Sequence, residues 1–338
     1  MPGTLNRQSL REDWRFFYAL TPPRPAHTLG AMANHNLPER LIRRALALLP
    51  WRLKTRLFET ACASLDDPEI MQRLIRRLAP RLNITELTAQ GDLGAITSLA
   101  TDSTIFKQYL DSGSFAPDLT DEISAFLAQG GTYVDIGANI GLTTLPVAQS
   151  TPAQCLAFEP DPVNFALLER NLARNLPANR VRPHQLALFD QPATLTLAKA
   201  PANIGDHRIT RTALPGRETI TVQARPLDEF LPALTAPLAL KIDTQGAEPF
   251  IFAGGRQAIA RAGLLAAEFC PFLMRQLGGD IDAMLAQLAG FSAIAVSPGG
   301  KPGKPVFLSP NDALSRLRAF LATAQPTDGD YLDLLARR

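Results

Sequence analysis

The spacing of apolar residues along the chain changes character at the Gly130-Gly131 pair. Residues 1–36 show no clear period, and several segments between residue 38 and this pair have apolar residues at every third or fourth position, which is the period of a helix. After it, short apolar runs alternate with helical segments, and this alternation is typical of βαβ units around a parallel sheet. The first region predicts helices over 38–65, 68–78, 103–110 and 120–129.

The second region predicts short strands over 132–137, 155–159, 181–188, 238–243, 264–268, 291–296 and 305–308. Two further runs, 193–200 and 218–224, alternate apolar and polar residues without a crossover helix between them, so they predict an antiparallel insertion. A helix over 311–323 and a short tail are expected to end the chain. We therefore divide the chain into an N-terminal arm and helical cap (1–100), an α/β domain (101–310) and a C-terminal helix and tail (311–338).

Composition restricts the classes of function. The net charge of the 338-residue chain is only +2, which gives no support for a nucleic-acid partner. The three cysteines are far apart and lie in apolar contexts, so we expect free thiols in a reducing compartment. We find neither a signal peptide nor an apolar run of about 18 residues, and we expect a cytoplasmic protein without a transmembrane segment.

The predicted N-terminal helix is basic and amphipathic. Contact of its basic face with a membrane surface is one interpretation. Packing of the helix on the core, with the basic face in solvent, is the interpretation that we favour. The residues concerned are Arg40, Arg43, Arg44, Arg52, Lys54 and Arg56.

A glycine-containing loop follows the first strand of the α/β region. Gly137 and Gly141 would let the backbone approach a ligand, and the helix N-terminus beyond them offers free N–H groups. Glu159 ends the next strand, where a carboxylate that binds ribose hydroxyls is expected. Asp135 would repel a pyrophosphate, whereas it suits the ammonium and sulfonium of S-adenosylmethionine. Asn139 replaces the second glycine of a dinucleotide motif, and it completes a candidate set for this cofactor.

Asp161 is a sixth candidate for contact with the cofactor. It directly precedes Pro162 at the predicted start of a helix. Because aspartate before an N-terminal proline commonly caps a helix, we favour the capping role over contact with the cofactor.

Five motifs occur in order along the chain: Val134–Gly141 (VDIGANIG), Phe158–Pro162 (FEPDP), Ala187–Asp190 (ALFD), Arg225–Asp228 (RPLD) and Lys241–Glu248 (KIDTQGAE). Together they resemble the FkbM family of S-adenosylmethionine-dependent methyltransferases, over residues 105–296. The resemblance implies the class I methyltransferase fold, a Rossmann-like sheet of seven mostly parallel strands whose last hairpin strand is antiparallel. One position departs from the family, because Gln245 stands where a glutamate is usual. The departure puts a role for residue 245 in doubt and shifts weight to Asp243 and Glu248.

Asp243 ends the predicted strand 238–243 and should face the cleft in which the methyl group emerges. A carboxylate there would orient or deprotonate an acceptor hydroxyl, and anchoring the turn at Gly246 is the alternative. Lys241 lies on the same face of the sheet as Asp243, and Glu248 follows the turn. Both join the candidate catalytic set, although a structural ion pair and a helix cap are open alternatives.

Glu268 ends the fifth strand and should project beside Asp243 if the two strands are neighbours. Hard divalent cations need several oxygen ligands, and the sequence offers two here. We therefore expect no metal, and a cation held by Asp243 and Glu268 is the alternative.

These observations predict an S-adenosylmethionine-dependent methyltransferase that acts on a hydroxyl of a sugar, glycan or secondary metabolite. An N-methyltransferase for a small molecule or nucleic acid is one alternative. Nucleic acid is disfavoured, because no Asn/Asp-Pro-Pro-aromatic tetrad follows the fourth strand. A non-catalytic module that binds the cofactor is the other alternative, and Gln245 is its only support. The oligomeric state does not follow from the sequence.

Overall fold

The computed structural model describes residues 49–63, 75, 78–301 and 303–338. The chain divides into two compact units after Leu87, whereas the sequence analysis places a boundary after residue 100. In the first unit, helix α1 covers Trp51–Ala63 and confirms that part of the predicted helix 38–65. The arm before it, the arginines at 40–44 and most of the predicted helix 68–78 lie outside the described residues.

The strands are β1 Glu86–Gly91, β2 Gly94–Leu99, β3 Thr132–Ile136, β4 Gln154–Phe158, β5 Val181–His184, β6 Ala187–Leu188, β7 Ala193–Lys199, β8 Arg208–Thr210, β9 Glu218–Arg225, β10 Leu238–Ile242, β11 Leu264–Phe269, β12 Ala293–Pro298, β13 Phe307–Leu308 and β14 Leu332–Arg337. Eight of them form the main sheet of the second unit, in the order β13-β12-β14-β11-β10-β3-β4-β5. Strands β3, β4, β5, β10 and β11 pair in parallel, and β14 lies antiparallel between β11 and β12. This arrangement confirms the predicted class I methyltransferase fold, with β13 as an additional edge strand.

The helices of the second unit are α2 Ile105–Ser112, α3 Pro117–Phe126, α4 Thr144–Ser150, α5 Pro162–Asn175, α6 Glu248–Gly254, α7 Arg256–Arg261, α8 Pro271–Leu277, α9 Ile281–Leu288 and α10 Pro310–Thr323. Several begin with a proline, whose missing N–H is not needed in the first turn. Side chains of Asp161, Asp280 and Ser309 cap α5, α9 and α10 by accepting backbone N–H bonds. Local sequence thus determines where these helices start.

The buried core explains why the parallel strands read as continuous apolar runs. Every residue of β3 and β10 is buried, including the charged Asp135 and Lys241. When helices cover both faces of a sheet, neither face of its strands is exposed to solvent. The alternation of apolar and polar residues along such strands is therefore lost. Within the described residues, no helix has the length and apolar character needed to span a membrane.

The predicted antiparallel insertion is confirmed. Strands β7 and β9 pair antiparallel over seven residue pairs, and β8 adds to the edge of β7. Strand β6 pairs in parallel with β9, so it belongs to this second sheet of four strands. The predicted strand 181–188 is therefore wrong as one element, because its first half joins the main sheet and its second half joins the insertion.

Two elements differ from the sequence-based prediction. Residues 332–337, expected to be part of a short tail, form the antiparallel strand β14 inside the main sheet. Residues 86–99, expected within the helical cap, include the two-stranded sheet β1–β2. Both depend on pairing between segments whose own apolar patterns are short, which is why periodicity did not reveal them.

Candidate active site

A cleft of about 1120 Å³ opens where β3, β4, β10 and β11 end at their carboxyl termini. The loops after these strands line it, together with residues of the insertion, of the segments 297–301 and 303–306, and of the stretch just before β14. Doubly wound sheets bind ligands at this edge, where the strand order reverses. Pockets for one small ligand measure roughly 300–1,000 Å³, so this cleft has room for a cofactor and an acceptor.

The loop after β3 comes into close contact with the loop after β10. Gly137 has φ of 79°, and a Cβ there would lie 1.9 Å from the carbonyl oxygen of Asp243. Gly141 has φ of 95°, and its Cβ would lie 2.9 Å from Leu168 of α5. Of these two glycines, Gly137 lines the cleft and Gly141 does not. The two predicted glycines therefore have different tasks, since Gly137 lets the loops meet and Gly141 lets α5 pack.

Glu159 lies in the cleft and is held from the protein side. Its Oε2 accepts the Asn139 N–H and its Oε1 accepts the Asp161 N–H, both at 2.9 Å. Burial raises the pKa of Glu159 to about 7, although the two N–H bonds favour the charged form. A carboxylate offers about four acceptor positions, so two remain for hydroxyl groups of a ligand. This arrangement fits a ribose.

Asn139 connects the glycine loop to the insertion. Its backbone is left-handed, with φ of 51°, and its Nδ2 donates to the carbonyl oxygen of Ile204 at 2.7 Å. The Asn164 side chain donates to the same carbonyl at 3.1 Å. The Asn139 side chain is therefore a structural link, while its N–H orients Glu159.

Asp135 is fully buried and does not line the cleft. Its Oδ2 accepts the hydroxyl groups of Thr143 and Thr144 at 2.7 and 2.6 Å, and its Oδ1 lies 3.2 Å from Nζ of Lys241. Direct contact of Asp135 with a cofactor ammonium or sulfonium has no support in this geometry, because its charge is already paired inside the protein.

Lys241 joins the two loops at the cleft. Its Nζ donates to the carbonyl oxygen of Gly137 at 2.8 Å and lies 3.7 Å from Oδ2 of Asp243. Burial alone would lower the pKa of Lys241, but attraction to Asp135 and Asp243 outweighs burial, and the pKa is raised. The ammonium therefore stays charged, and it serves as a tether for the site.

The favoured interpretation of Asp161 is confirmed. Its Oδ1 accepts the N–H groups of Val163 and Asn164, each at 2.9 Å, and so caps α5. Its Oδ2 lies 3.1 Å from Nζ of Lys199 in the insertion. Asp161 is fully buried and does not line the cleft, so its geometry offers nothing to a cofactor except through its N–H bond to Glu159.

Asp243 faces the cleft with 43% of its side chain exposed, and it meets Glu268 through an intermediary. The Gln245 Nε2 donates to Oδ1 of Asp243 at 3.1 Å and to Oε1 of Glu268 at 3.3 Å. Burial raises the pKa of Glu268 well above its usual range, and the nearby carboxylates, Asp243 first, add to the rise. The predicted neighbourhood of Asp243 and Glu268 is therefore observed, with an amide between them.

Glu248 is the first residue of α6 and is only 1% exposed. Its Oε1 accepts the N–H and the hydroxyl of Thr244, and its Oε2 accepts the N–H of Gly246 at 2.9 Å. Burial raises the pKa of Glu248 to about 7. Its carboxylate folds the loop after β10 and does not reach the cleft, so the geometry supports the structural alternative.

One feature of the cleft was missed by sequence reasoning. Asp333 pairs with Glu268 across β14 and β11 and lines the same cleft. It could not be found from spacing, because β14 itself was not predicted. Arg208 of the insertion is 6% exposed and does not line the cleft, and its guanidinium is held inside the protein at 3.1 Å from Asp206 and 3.0 Å from Asp328.

The chain is similar to known methyltransferases. Residues 135–292 match the model of the methyltransferase FkbM domain. Methyltransferase sdnD of Sordaria araneosa is 38% identical over 93 residues, which are 27% of this chain and 32% of the relative. The chain therefore spans about a third of that relative's length. The 2-O-methyltransferase NoeI of Sinorhizobium fredii (strain NBRC 101917 / NGR234) is 26% identical over 190 residues, which cover 50% of this chain and 76% of NoeI.

A solved structure, the O-methyltransferase TomG of Streptomyces achromogenes in complex with SAM, is 16% identical. The alignment covers 66% of this chain and 80% of TomG, with a TM-score of 0.34. A score this low adds no argument to the strand order of the sheet, which supports the fold assignment by itself.

Proposed function

We propose that this protein transfers the methyl group of S-adenosylmethionine to a hydroxyl oxygen. Its residues 135–292 match the model of the methyltransferase FkbM domain. The acceptor in this proposal is a sugar, a glycan or a secondary metabolite. The observation that carries the proposal is that Glu159 and Asp243 line one cleft, with the glycine loop of β3 between their strands.

The residues at the β4 side of the cleft would hold the cofactor. Glu159 would accept the ribose hydroxyls, and Leu186 and Leu188 provide an apolar wall for the adenine. S-adenosylmethionine supplies a methyl group activated by a sulfonium charge. The nearby charges of Asp135 and Asp243 exceed that of Lys241, which favours a cationic ligand.

Asp243 is the proposed base at the β10 side. Its carboxylate would accept the proton of the acceptor hydroxyl while the oxygen forms its bond to the methyl carbon. The sulfur–methyl bond breaks with its electron pair on sulfur, so the products are a methyl ether and S-adenosylhomocysteine. The exposed Asp243 oxygens and the tethers from Lys241 and Gln245 suit this task, because a base must be both accessible and oriented.

One observation supports a hydroxyl acceptor over an amine: NoeI, which the chain resembles over half of its length, is named a 2-O-methyltransferase. The carboxyl groups of Glu268 and Asp333 also line the cleft and can accept hydrogen bonds from an acceptor of either kind. We also propose a cytoplasmic location, which the buried free thiols of Cys155 and Cys270 support.

The experiment combines cofactor binding with product identification. Calorimetry with S-adenosylhomocysteine should show binding, and label from methyl-labelled S-adenosylmethionine should enter a compound of the host extract. The labelled product should be a methyl ether by mass spectrometry and should resist mild base. A labelled amine would favour the N-methyltransferase alternative, and binding without any labelled product would favour the non-catalytic module.

Asp243→Asn keeps the shape of the side chain and removes the base. We expect turnover to fall by about 10²–10⁴-fold, the usual contribution of a general base, with little change in cofactor affinity. Asp228→Asn is the matched control, since that carboxylate accepts N–H bonds from Gln257 and Ala258 and does not line the cleft. A folded Asp243→Asn variant with full turnover would remove Asp243 from the mechanism.

A further inference from the structure

Gln245 is the residue whose role the sequence put in doubt. It lies between Asp243 and Glu268 on the acceptor side of the cleft, which is the side proposed to bind the methyl acceptor. Its backbone is left-handed, with φ of 58°, directly before Gly246 with φ of 112°. Residues with side chains rarely adopt this conformation, and such strain tends to occur where function requires it. The strained backbone directs the carboxamide between two carboxyl groups from neighbouring strands.

The Gln245 amide makes contacts of the kind that a cation would make. Its nitrogen lies 3.1 Å from Oδ1 of Asp243 and 3.3 and 3.4 Å from the two oxygens of Glu268. A divalent cation shared by these carboxylates would need the same space. Across the described part of the chain, no group of three His, Cys, Asp or Glu side chains could hold a metal.

We propose that Gln245 is a positioning residue whose carboxamide takes the place of a divalent cation between Asp243 and Glu268. The acceptor side then works without a metal, because the two amide hydrogens hold Asp243 toward the acceptor and relieve its repulsion from Glu268. The effect of Gln245 on the rate of methyl transfer rests on the proposed function. The exclusion of a cation from the space between Asp243 and Glu268 does not depend on which acceptor is used.

The test adds a carboxylate where the amide now lies. Gln245→Glu would bring three carboxyl groups together and should create a cation site. Mn²⁺ is the probe, and the loss of its free electron paramagnetic resonance signal on titration measures binding. We expect no binding at this site in the wild type and one Mn²⁺ per chain in Gln245→Glu, which should be lost again when Asp243→Asn is added.

The matched control is Gln287→Glu, which adds a carboxylate at a partly buried glutamine remote from the cleft, where Nε2 donates to the Phe252 carbonyl. It should bind no Mn²⁺. Wild-type binding that Asp243→Asn abolishes would overturn the proposal, and so would a folded Gln245→Glu without binding. S-adenosylhomocysteine calorimetry on the same samples tests the proposed function separately, because cofactor binding depends on Glu159.

A second variant keeps the proposal testable if Gln245→Glu does not fold. Gln245→Met has a similar length and no donor, so Asp243 loses its tether. Turnover of label into the host-extract product should fall by about 10–10²-fold at an unchanged melting temperature, since small misplacements of a reacting group cost that much. Wild-type turnover should be unaffected by chelator. Full turnover of folded Gln245→Met would refute the positioning role.

Discussion

The role proposed for Glu159 leads to a prediction with two independent measurements. Replacing Glu159 by Ala removes the carboxylate that would accept two ribose hydroxyls, and it leaves the N–H groups of Asn139 and Asp161 without their acceptor. A hydrogen bond to a charged group contributes roughly 1.5–3 kcal/mol. Losing two should weaken S-adenosylhomocysteine binding by about 10²–10⁴-fold, and the unpaired N–H groups should also lower stability.

The pKa of Glu159 gives the second measurement. Because burial raises it to about 7 from 4.5, much of the free protein carries a neutral Glu159 near neutral pH. Hydroxyl donors need the charged form, so affinity should rise as the pH rises through 7. Between pH 6 and pH 8 the ionised fraction grows about tenfold, and the dissociation constant should fall by about the same factor.

Calorimetry at both pH values, with a melting curve for each variant, is the assay. Glu169→Ala is the matched control, because Glu169 is exposed on α5 and does not line the cleft. The control should keep both the affinity and the pH dependence of the wild type. Folded Glu159→Ala that binds within threefold of wild type, or a wild-type affinity that does not change with pH, would refute the role of Glu159.

Further predictions concern the buried carboxylates that shape the cleft. Glu248→Gln places an amide against the N–H of Gly246, which should lower the free energy of unfolding by about 1–3 kcal/mol in chemical denaturation. Since burial raises the pKa of Glu248 to about 7, its contribution to stability is fully present below pH 4.5 and is lost as the pH rises through 7. Glu248→Gln should therefore reduce the change in the free energy of unfolding between pH 4.5 and pH 7. The same pH dependence in the variant as in the wild type would contradict this prediction. Asp161→Ala should lower the free energy of unfolding by about 1–2 kcal/mol, because it removes the cap of α5. Asp161→Asn should lower it less if capping is the main contribution of Asp161 to stability, because asparagine also caps helices. A melting temperature unaffected by Asp161→Ala would show that the cap contributes nothing.

The sequence was sufficient for the features that depend on local order. The loop after β3 and the acid that follows β4 were found because parallel strands bring their carboxyl ends to one edge of the sheet. Glu159 and Asp243 therefore meet in one cleft, as expected from two strand ends. The cap at Asp161 was also predictable, because a helix start depends on adjacent residues.

The sequence was not sufficient where a contact joins distant segments. Strand β14 pairs with β11 and β12 from the far end of the chain, and its apolar run is too short to stand out. Because β14 was not predicted, the position of Asp333 beside Glu268 could not be predicted either. Asp135 was assigned to the cofactor from its position near the glycine loop, but the choice of partner for a buried carboxylate depends on the neighbouring strand. That strand supplies Lys241, which lies directly opposite Asp135 in the β3–β10 register.

The contacts of Asp243 suggest why the loss of a glutamate at position 245 need not mean the loss of chemistry. Lys241 approaches one oxygen of Asp243 at 3.7 Å, and Gln245 donates to the other at 3.1 Å. The first partner is a charged ammonium, whereas the second is a neutral amide that fixes the direction of the carboxylate. A glutamate at position 245 would instead add a third negative charge beside Asp243 and Glu268, and that charge would call for a proton or a cation. The neutral amide thus leaves Asp243 oriented and exposed to the cleft, which is what the proposed role of a base for a hydroxyl acceptor requires.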